Sequence, residues 1–184
     1  MDRSDIPLGR GAIGGLVAYA LGYLVTYLWQ GPSVRDSLSG INTLIDLVGG
    51  QTIPTWQAVG WLFYNAHAVE LQVPSLGAGS ATRSLIGNGG APSLLLVVPP
   101  VILLLAGAAV GWWSDAEDLQ AGAVAGATTV LGYLVLVVIG IFAFRYSIQD
   151  AVIGPLFVRG LLLAGIVYPV VFGGIGGGLA GEVG

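Results

Sequence analysis

The sequence contains no cysteine and no lysine, and it has one histidine among 184 residues. Without cysteine the chain forms no disulfide, no thiolate metal site and no thiol nucleophile. Charged residues make up 9% of the chain, whereas soluble domains carry about 25%. The six basic residues are all arginine, and with ten acidic residues the net charge is −4. We expect no nucleic-acid partner, because phosphate binding needs clustered positive charge.

What the chain has in abundance is long uncharged stretches. Asp, Glu, Lys, Arg and His are all absent from residues 11–34, 84–114, 119–144 and 160–181. Each stretch exceeds the roughly 20 residues with which a helix crosses the hydrocarbon core of a bilayer. With 55% hydrophobic residues and 31 glycines, the sequence predicts an all-α, polytopic transmembrane bundle that forms a single domain over residues 1–184.

We expect about five spans, at residues 11–30, 55–73, 93–113, 119–144 and 155–180. The second is ambiguous, because it contains Asn65, His67 and Glu70. A carboxylate at membrane depth costs about 2.5 kcal/mol or more, so the alternative is four spans and an interfacial helix. Five spans with a cytoplasmic N-terminus place five of the six arginines on the cytoplasmic side, as the positive-inside rule requires. Four spans with the same N-terminal side place only two there, and inverting that arrangement places four there.

Between the first span and residue 92 the chain is rich in glycine and proline, which predicts loops. Within this region Leu38, Ile41, Ile45 and Val48 recur at helical spacing, and Gly49 is suited to end a helix. This pattern predicts a short amphipathic helix on the membrane surface.

Two further patterns predict helix boundaries. Pro99 and Pro100 both lack a backbone N–H, which predicts that the third span starts or kinks at these residues. Ser114 followed by Glu117 has the spacing of a capping box, which predicts the start of the next helix.

Seven residues are candidates for a polar path through the membrane. The tyrosines of the first span repeat every four residues on one helical face, and two other pairs are three or four residues apart. Each group also has an ordinary structural interpretation. In it the tyrosines pack against neighbouring helices or anchor the span at the interface, His67 and Glu70 form a pair that faces water, and Thr129 bonds to a carbonyl of its own helix. The candidates are Tyr19, Tyr23, Tyr27, His67, Glu70, Thr129 and Tyr133.

His67 and Glu70 supply fewer ligands than a zinc site needs, so we expect neither a metal nor a cofactor. The usual motifs of hydrolases, metalloproteases and nucleotide-binding proteins do not occur in a usable context. We therefore expect no catalytic residues and no enzyme activity.

Glycines recur four residues apart in two of the predicted spans. Gly107 and Gly111 lie in the third, and Gly122 and Gly126 lie in the fourth. Such spacing lets a neighbouring backbone approach closely. We expect these two helices to pack against each other as a tight hairpin.

Three segments resemble uncharacterised multi-span membrane proteins of halophilic archaea. They are LGYLVTYLW at the end of the first span, GWLFYNAHAVEL at residues 60–71 and VPPVILLLAG at residues 98–107. The resemblance implies a cell-membrane protein of a high-salt organism and no particular activity. The acidic, lysine-free composition is compatible with this habitat.

Our first hypothesis for function is a non-enzymatic integral membrane subunit or scaffold. It would contact membrane lipids and assemble with another membrane protein or with copies of itself, using residues 31–54 as its recognition surface. The alternative is a small channel or transporter component with a polar path near His67 and Glu70. A pore requires the polar candidates to face one shared cavity, whereas a scaffold distributes them among separate interfaces.

Overall fold

The computed structural model describes residues 6–47, 49–75, 79–87, 90–148 and 151–183. Within these residues four helices are long and apolar enough to cross a membrane, and a fifth helix is shorter. The protein is therefore a multi-pass membrane protein built as a helical bundle, as the composition predicts. The helices are α1 (Leu8–Leu47), α2 (Thr55–Asn65), α3 (Ser93–Trp113), α4 (Leu119–Ala143) and α5 (Phe157–Val183).

The segment 55–73 does not form the single spanning helix that was expected. α2 ends at Asn65 after 11 residues, a length of about 16 Å, which is roughly half the hydrocarbon core. Ala68 then takes a left-handed conformation with a φ of 58°, the backbone geometry that commonly ends helices. Because glycine usually occupies such a position, the sequence carries no visible sign of this break.

α1 is one continuous helix of 40 residues, rather than a span at 11–30 followed by a separate interfacial helix. Pro32 lies inside it and removes one backbone donor, yet the helix continues. Its distal part is held by tertiary contacts: Leu38 is buried, and the Asn42 amide bonds both the N–H and the carbonyl of Ile53. Val48 of the expected pattern lies outside the described residues. Gly49 has a φ of 73°, in agreement with its expected role as a helix terminator.

A small antiparallel sheet, which the all-α prediction lacks, lies at one end of the bundle. Its strand order is β2-β1-β4-β3. Leu71 pairs with Arg83 on one side and with Pro155 on the other, so the sheet joins two loops distant in sequence. The strands are β1 (Leu71–Pro74), β2 (Ser80–Arg83), β3 (Tyr146–Ile148) and β4 (Ala151–Pro155).

The connections alternate between the two ends of the bundle. Arg10 near the start of α1 donates to the carbonyl of Trp113 at the end of α3, so these two termini lie at the same end. α2 packs at the opposite end, where Gln57 donates to the carbonyls of Ala143 and Arg145. These bonds satisfy carbonyls left free where α4 stops. We call this second end the sheet end.

The boundaries of α3 and α4 follow from local chemistry. α3 enters through a 3₁₀ turn at Ser93–Val97 and becomes α-helical at Val98, so Pro99 and Pro100 occupy its first α-helical turn. The expected capping box at Ser114 is wrong, because Ser114 ends α3. The N-cap of α4 is Asp118, whose carboxylate accepts from the Ala121 N–H at 2.6 Å.

α5 has two geometries. Its first half contains π-helical stretches at Gly160–Val167 and Pro169–Gly173, and its second half is α-helical over Gly174–Val183. Pro169 lacks the N–H that a regular helix would use. The α-helical half inserts between α3 and the beginning of α4.

Candidate functional site

The glycines of α3 and α4 lie against α5 and not against each other. A methyl group added at Gly107 or Gly126 would overlap the carbonyl oxygen of Gly173, and one added at Gly122 would overlap that of Gly177. α5 therefore packs against the glycine faces of both helices, while α3 and α4 also contact each other directly, as expected. We call this region, which comprises Gly107, Gly111, Gly122, Gly126, Gly173 and Gly177, the glycine end.

His67 lies at the centre of a buried aromatic cluster nearer the sheet end. The turn after α2 directs its ring into the bundle, where it is 1% exposed. Nδ1 lies 2.7 Å from the carbonyl oxygen of Phe63 and Nε2 lies 2.7 Å from the hydroxyl of Tyr133. Since a carbonyl only accepts, the proton sits on Nδ1. In the neutral ring Nε2 then accepts from Tyr133.

Aromatic rings surround this histidine on several sides. The rings of Phe63 and Tyr168 lie 4.8 and 5.0 Å from the imidazole, between centroids. Tyr19 packs edge-on against Tyr133 with centroids 5.3 Å apart. No described carboxylate contacts His67, and a buried imidazolium without a counter-charge is costly. The cluster therefore suits a neutral, structural histidine.

A second tyrosine pair continues this network. The hydroxyls of Tyr19 and Tyr64 lie 3.4 Å apart, and Tyr64 donates to the carbonyl of Val137. Gly140 makes room for both, because a Cβ there would overlap the two hydroxyl groups. Tyr64 and Tyr168 were not among the sequence candidates, since neither belongs to a periodic polar face.

The other candidates make their polar contacts outside this cluster, although the ring of Tyr23 packs against that of Phe63 with centroids 6.1 Å apart. Tyr23 donates to the carbonyl of Trp56 at 2.9 Å, while Tyr27 lines a separate surface groove. Glu70 pairs with Arg159 near the surface. Thr129 donates to the carbonyl of Gly126 in its own helix, the back-bonding that was the alternative interpretation of this residue.

The structure thus brings three of the seven candidates together, namely Tyr19, His67 and Tyr133. Their polar atoms bond within the cluster and to carbonyls, and none of the three lines the surface groove at Tyr27 or the larger cavity at the sheet end. Within the described ranges, His, Asp and Glu side chains form no group of three that could hold a metal ion.

A cavity with a volume of about 700 Å³ lies at the sheet end. It is bounded by the distal part of α1, by α2, by β1 and by the loop before α3. Gln30, which the sequence analysis did not single out, is buried and lines it. Its signal in the sequence was that it is the only carboxamide in the uncharged stretch 11–34.

Comparison with known proteins gave one family. The model of DUF7978, described as a family of unknown function, matches residues 1–183. Neither the curated proteins nor the solved structures gave a match.

Proposed function

The chain belongs to the DUF7978 family, and we propose that it is a non-enzymatic membrane subunit that binds a partner protein at its sheet end. The observation that carries this proposal is the separation of the polar candidates. Tyr27 and Glu70 lie at the surface, whereas His67 is enclosed by aromatic rings. A pore would require these groups around one cavity, so their distribution supports a scaffold over a channel.

The distal part of α1 supplies the recognition surface. A 40-residue helix is about 60 Å long, twice the thickness of the hydrocarbon core. Beyond the bundle it exposes an apolar stripe made of Ile41, Leu44 and Leu47, which are 52%, 66% and 77% exposed. Asn42 fixes this part of the helix to the following loop. A rigid helix that presents apolar side chains is suited to packing against another protein.

The test is native mass spectrometry of the full chain extracted gently, in high salt, from its own membrane. We expect a complex with a second protein. Replacement of the stripe by Ile41→Ser, Leu44→Ser and Leu47→Ser should release the partner without changing helix content. The matched control is Ser39→Ala with Thr43→Ala, two exposed positions of the same helix, which should keep the complex.

Two results would overturn the proposal. One is a serine variant that retains its partner. The other is a wild-type chain that is isolated alone and supports ion flux in liposomes, with the flux abolished by His67→Ala.

We further propose that the sheet end faces the cytoplasm. Four spans place both termini on one side, and the sheet end then carries four of the six arginines, which the positive-inside rule assigns to the cytoplasm. This reverses the orientation expected from five spans. Arg10 lies at the other end, and Arg3 lies outside the described residues. The four arginines at the sheet end are Arg35, Arg83, Arg145 and Arg159.

The cysteine-free chain allows a direct test of this orientation. A membrane-impermeant maleimide applied to intact cells should label Gly9→Cys, and it should label Ser39→Cys only after permeabilisation. The opposite labelling pattern would reject the proposed orientation.

The acidic, lysine-free composition supports the proposal that this cell-membrane protein works in high salt. Ten carboxylates against six arginines repel one another less when salt screens them.

A further inference from the structure

The cavity at the sheet end has the dimensions of a ligand site. Its volume of about 700 Å³ lies within the range of roughly 300–1,000 Å³ that is typical of small-molecule sites. Asp, Glu, Lys, Arg and His are all absent from the described residues that line it. A charged occupant would therefore lose its hydration and gain no counter-charge, so the cavity favours an uncharged one.

Gln30 gives this cavity a fixed polar point. The residue is 5% exposed, and its side chain makes no hydrogen bond with any other described residue. Ser33 and Ser37 follow it along the same face of α1 and also line the cavity. The hydroxyl of Ser37 is engaged, because it donates to the Ser33 carbonyl at 2.8 Å. The Gln30 amide thus has no described protein partner, and its polar atoms keep some accessible surface in a residue that lines the cavity.

The opposite wall is apolar. It includes the side chains of Leu62 and Val73 and the ring of Trp61. The indole N–H of Trp61 is engaged by the carbonyl of Phe144 at 2.6 Å, so the indole offers the cavity only its apolar ring. The Gln30 amide and the Ser33 hydroxyl, together with this apolar wall, match a molecule that has a hydrogen-bonding group on an apolar body.

We propose that this cavity binds an uncharged amphiphile from the membrane. Its hydroxyl or carbonyl head bonds to the Gln30 amide, and its apolar body lies along Trp61, Leu62 and Val73. The cavity shares Ile41 with the apolar stripe on α1, whereas Leu44 and Leu47 of that stripe do not line it.

The probe for this site is bromoundecanol, whose bromine quenches tryptophan fluorescence on contact. Trp61 becomes the single tryptophan once the other four, which are 40–78% exposed, are replaced by phenylalanine. In lipid nanodiscs we expect saturable quenching of Trp61 by the alcohol. Bromoundecane, which has no head group, and a bromoundecyl trimethylammonium ion should each bind at least about tenfold more weakly. The replaced tryptophans are Trp29, Trp56, Trp112 and Trp113.

Two matched proteins complete the experiment. The first protein keeps only Trp113, which is exposed at the other end of the bundle. Its fluorescence reports the alcohol dissolved in the bilayer, so its quenching should not saturate. Gln30→Leu in the Trp61 protein should weaken the alcohol about tenfold, the value of one hydrogen bond, and leave bromoundecane unchanged.

Ala91 lines the cavity from a loop. Ala91→Phe should fill the cavity with a ring and so abolish the saturable quenching of Trp61 by the alcohol. It provides an independent answer if Gln30→Leu does not fold. Equal affinity for the alcohol and the alkane, unchanged binding in Gln30→Leu, or quenching of Trp61 that merely follows that of Trp113 would each overturn the proposal.

Discussion

The glycine end and the sheet end of the bundle are packed in opposite ways. At the glycine end the helices meet through their backbones, with Gly173 and Gly177 of α5 against glycines of α3 and α4. Towards the sheet end they meet through large aromatic side chains, several of which carry hydroxyl groups. Backbone contact leaves little room for ligands, whereas aromatic packing places polar atoms inside the protein. The surface groove at Tyr27, the sheet-end cavity and the His67 cluster all lie towards the sheet end, which is where we place function.

We expect the largest loss of stability when one methyl group is added at the glycine end. Gly177→Ala would overlap the Gly122 carbonyl and the Gly126 backbone, and we expect it to destabilise the fold by about 3 kcal/mol. Unfolding of the purified protein by SDS titration measures this loss.

Gly174→Ala is the matched control for this substitution. A Cβ at Gly174 would make ordinary contacts, the nearest being the Ala123 carbonyl oxygen at 3.5 Å. Its effect should stay within about 1 kcal/mol. Equal effects of the two alanines would show that close backbone approach is not what holds the glycine end.

A smaller effect tests the aromatic part. Tyr133→Phe removes the hydroxyl that bonds to Nε2 of His67 and leaves a buried acceptor without a partner, which should cost about 1–3 kcal/mol. Tyr27→Phe is the control, because Tyr27 is exposed and its change should be negligible. If both variants unfold at the same SDS fraction as the wild type, the hydrogen bond to His67 does not contribute to stability.

We expect the smallest change in stability at the turn that separates α2 from the sheet. Ala68 has a φ of 58° and an exposed side chain, so Ala68→Gly should stabilise the protein by about 1 kcal/mol through relief of backbone strain. Ala66→Gly, at a buried position with a φ of −64°, should destabilise it. A loss of stability in Ala68→Gly would contradict the proposed strain.

The sequence predicted the uncharged helices well because hydropathy alone determines them. α3 matches the expected span at 93–113, and α4 ends within one residue of the expected 119–144. The break in α2 was missed because Ala68 occupies a position where glycine is usual. The sheet was missed because its two local hairpins have strands of only three to five residues, and because the pairing of β1 with β4 joins residues some 80 positions apart.

The candidate site was predicted only in part for a similar reason. His67 and Tyr133 stood out as polar residues in apolar surroundings, and the structure places them in one hydrogen bond. Glu70 is three residues from His67 in sequence, yet it pairs with Arg159, because the helical spacing assumed for the two ends before Glu70. Gln30 gained its significance only from the fold, which buries it beside a cavity.

The position of α5 has a consequence for biosynthesis. This helix follows α3 and α4 in the chain, yet its glycines contact both. During translation α3 and α4 therefore enter the bilayer before α5, with their glycine faces exposed to lipid. The three-helix unit closes only when α5 leaves the translocon and inserts between them. A nascent chain halted before residue 157 exposes the surface that a membrane quality-control system would recognise.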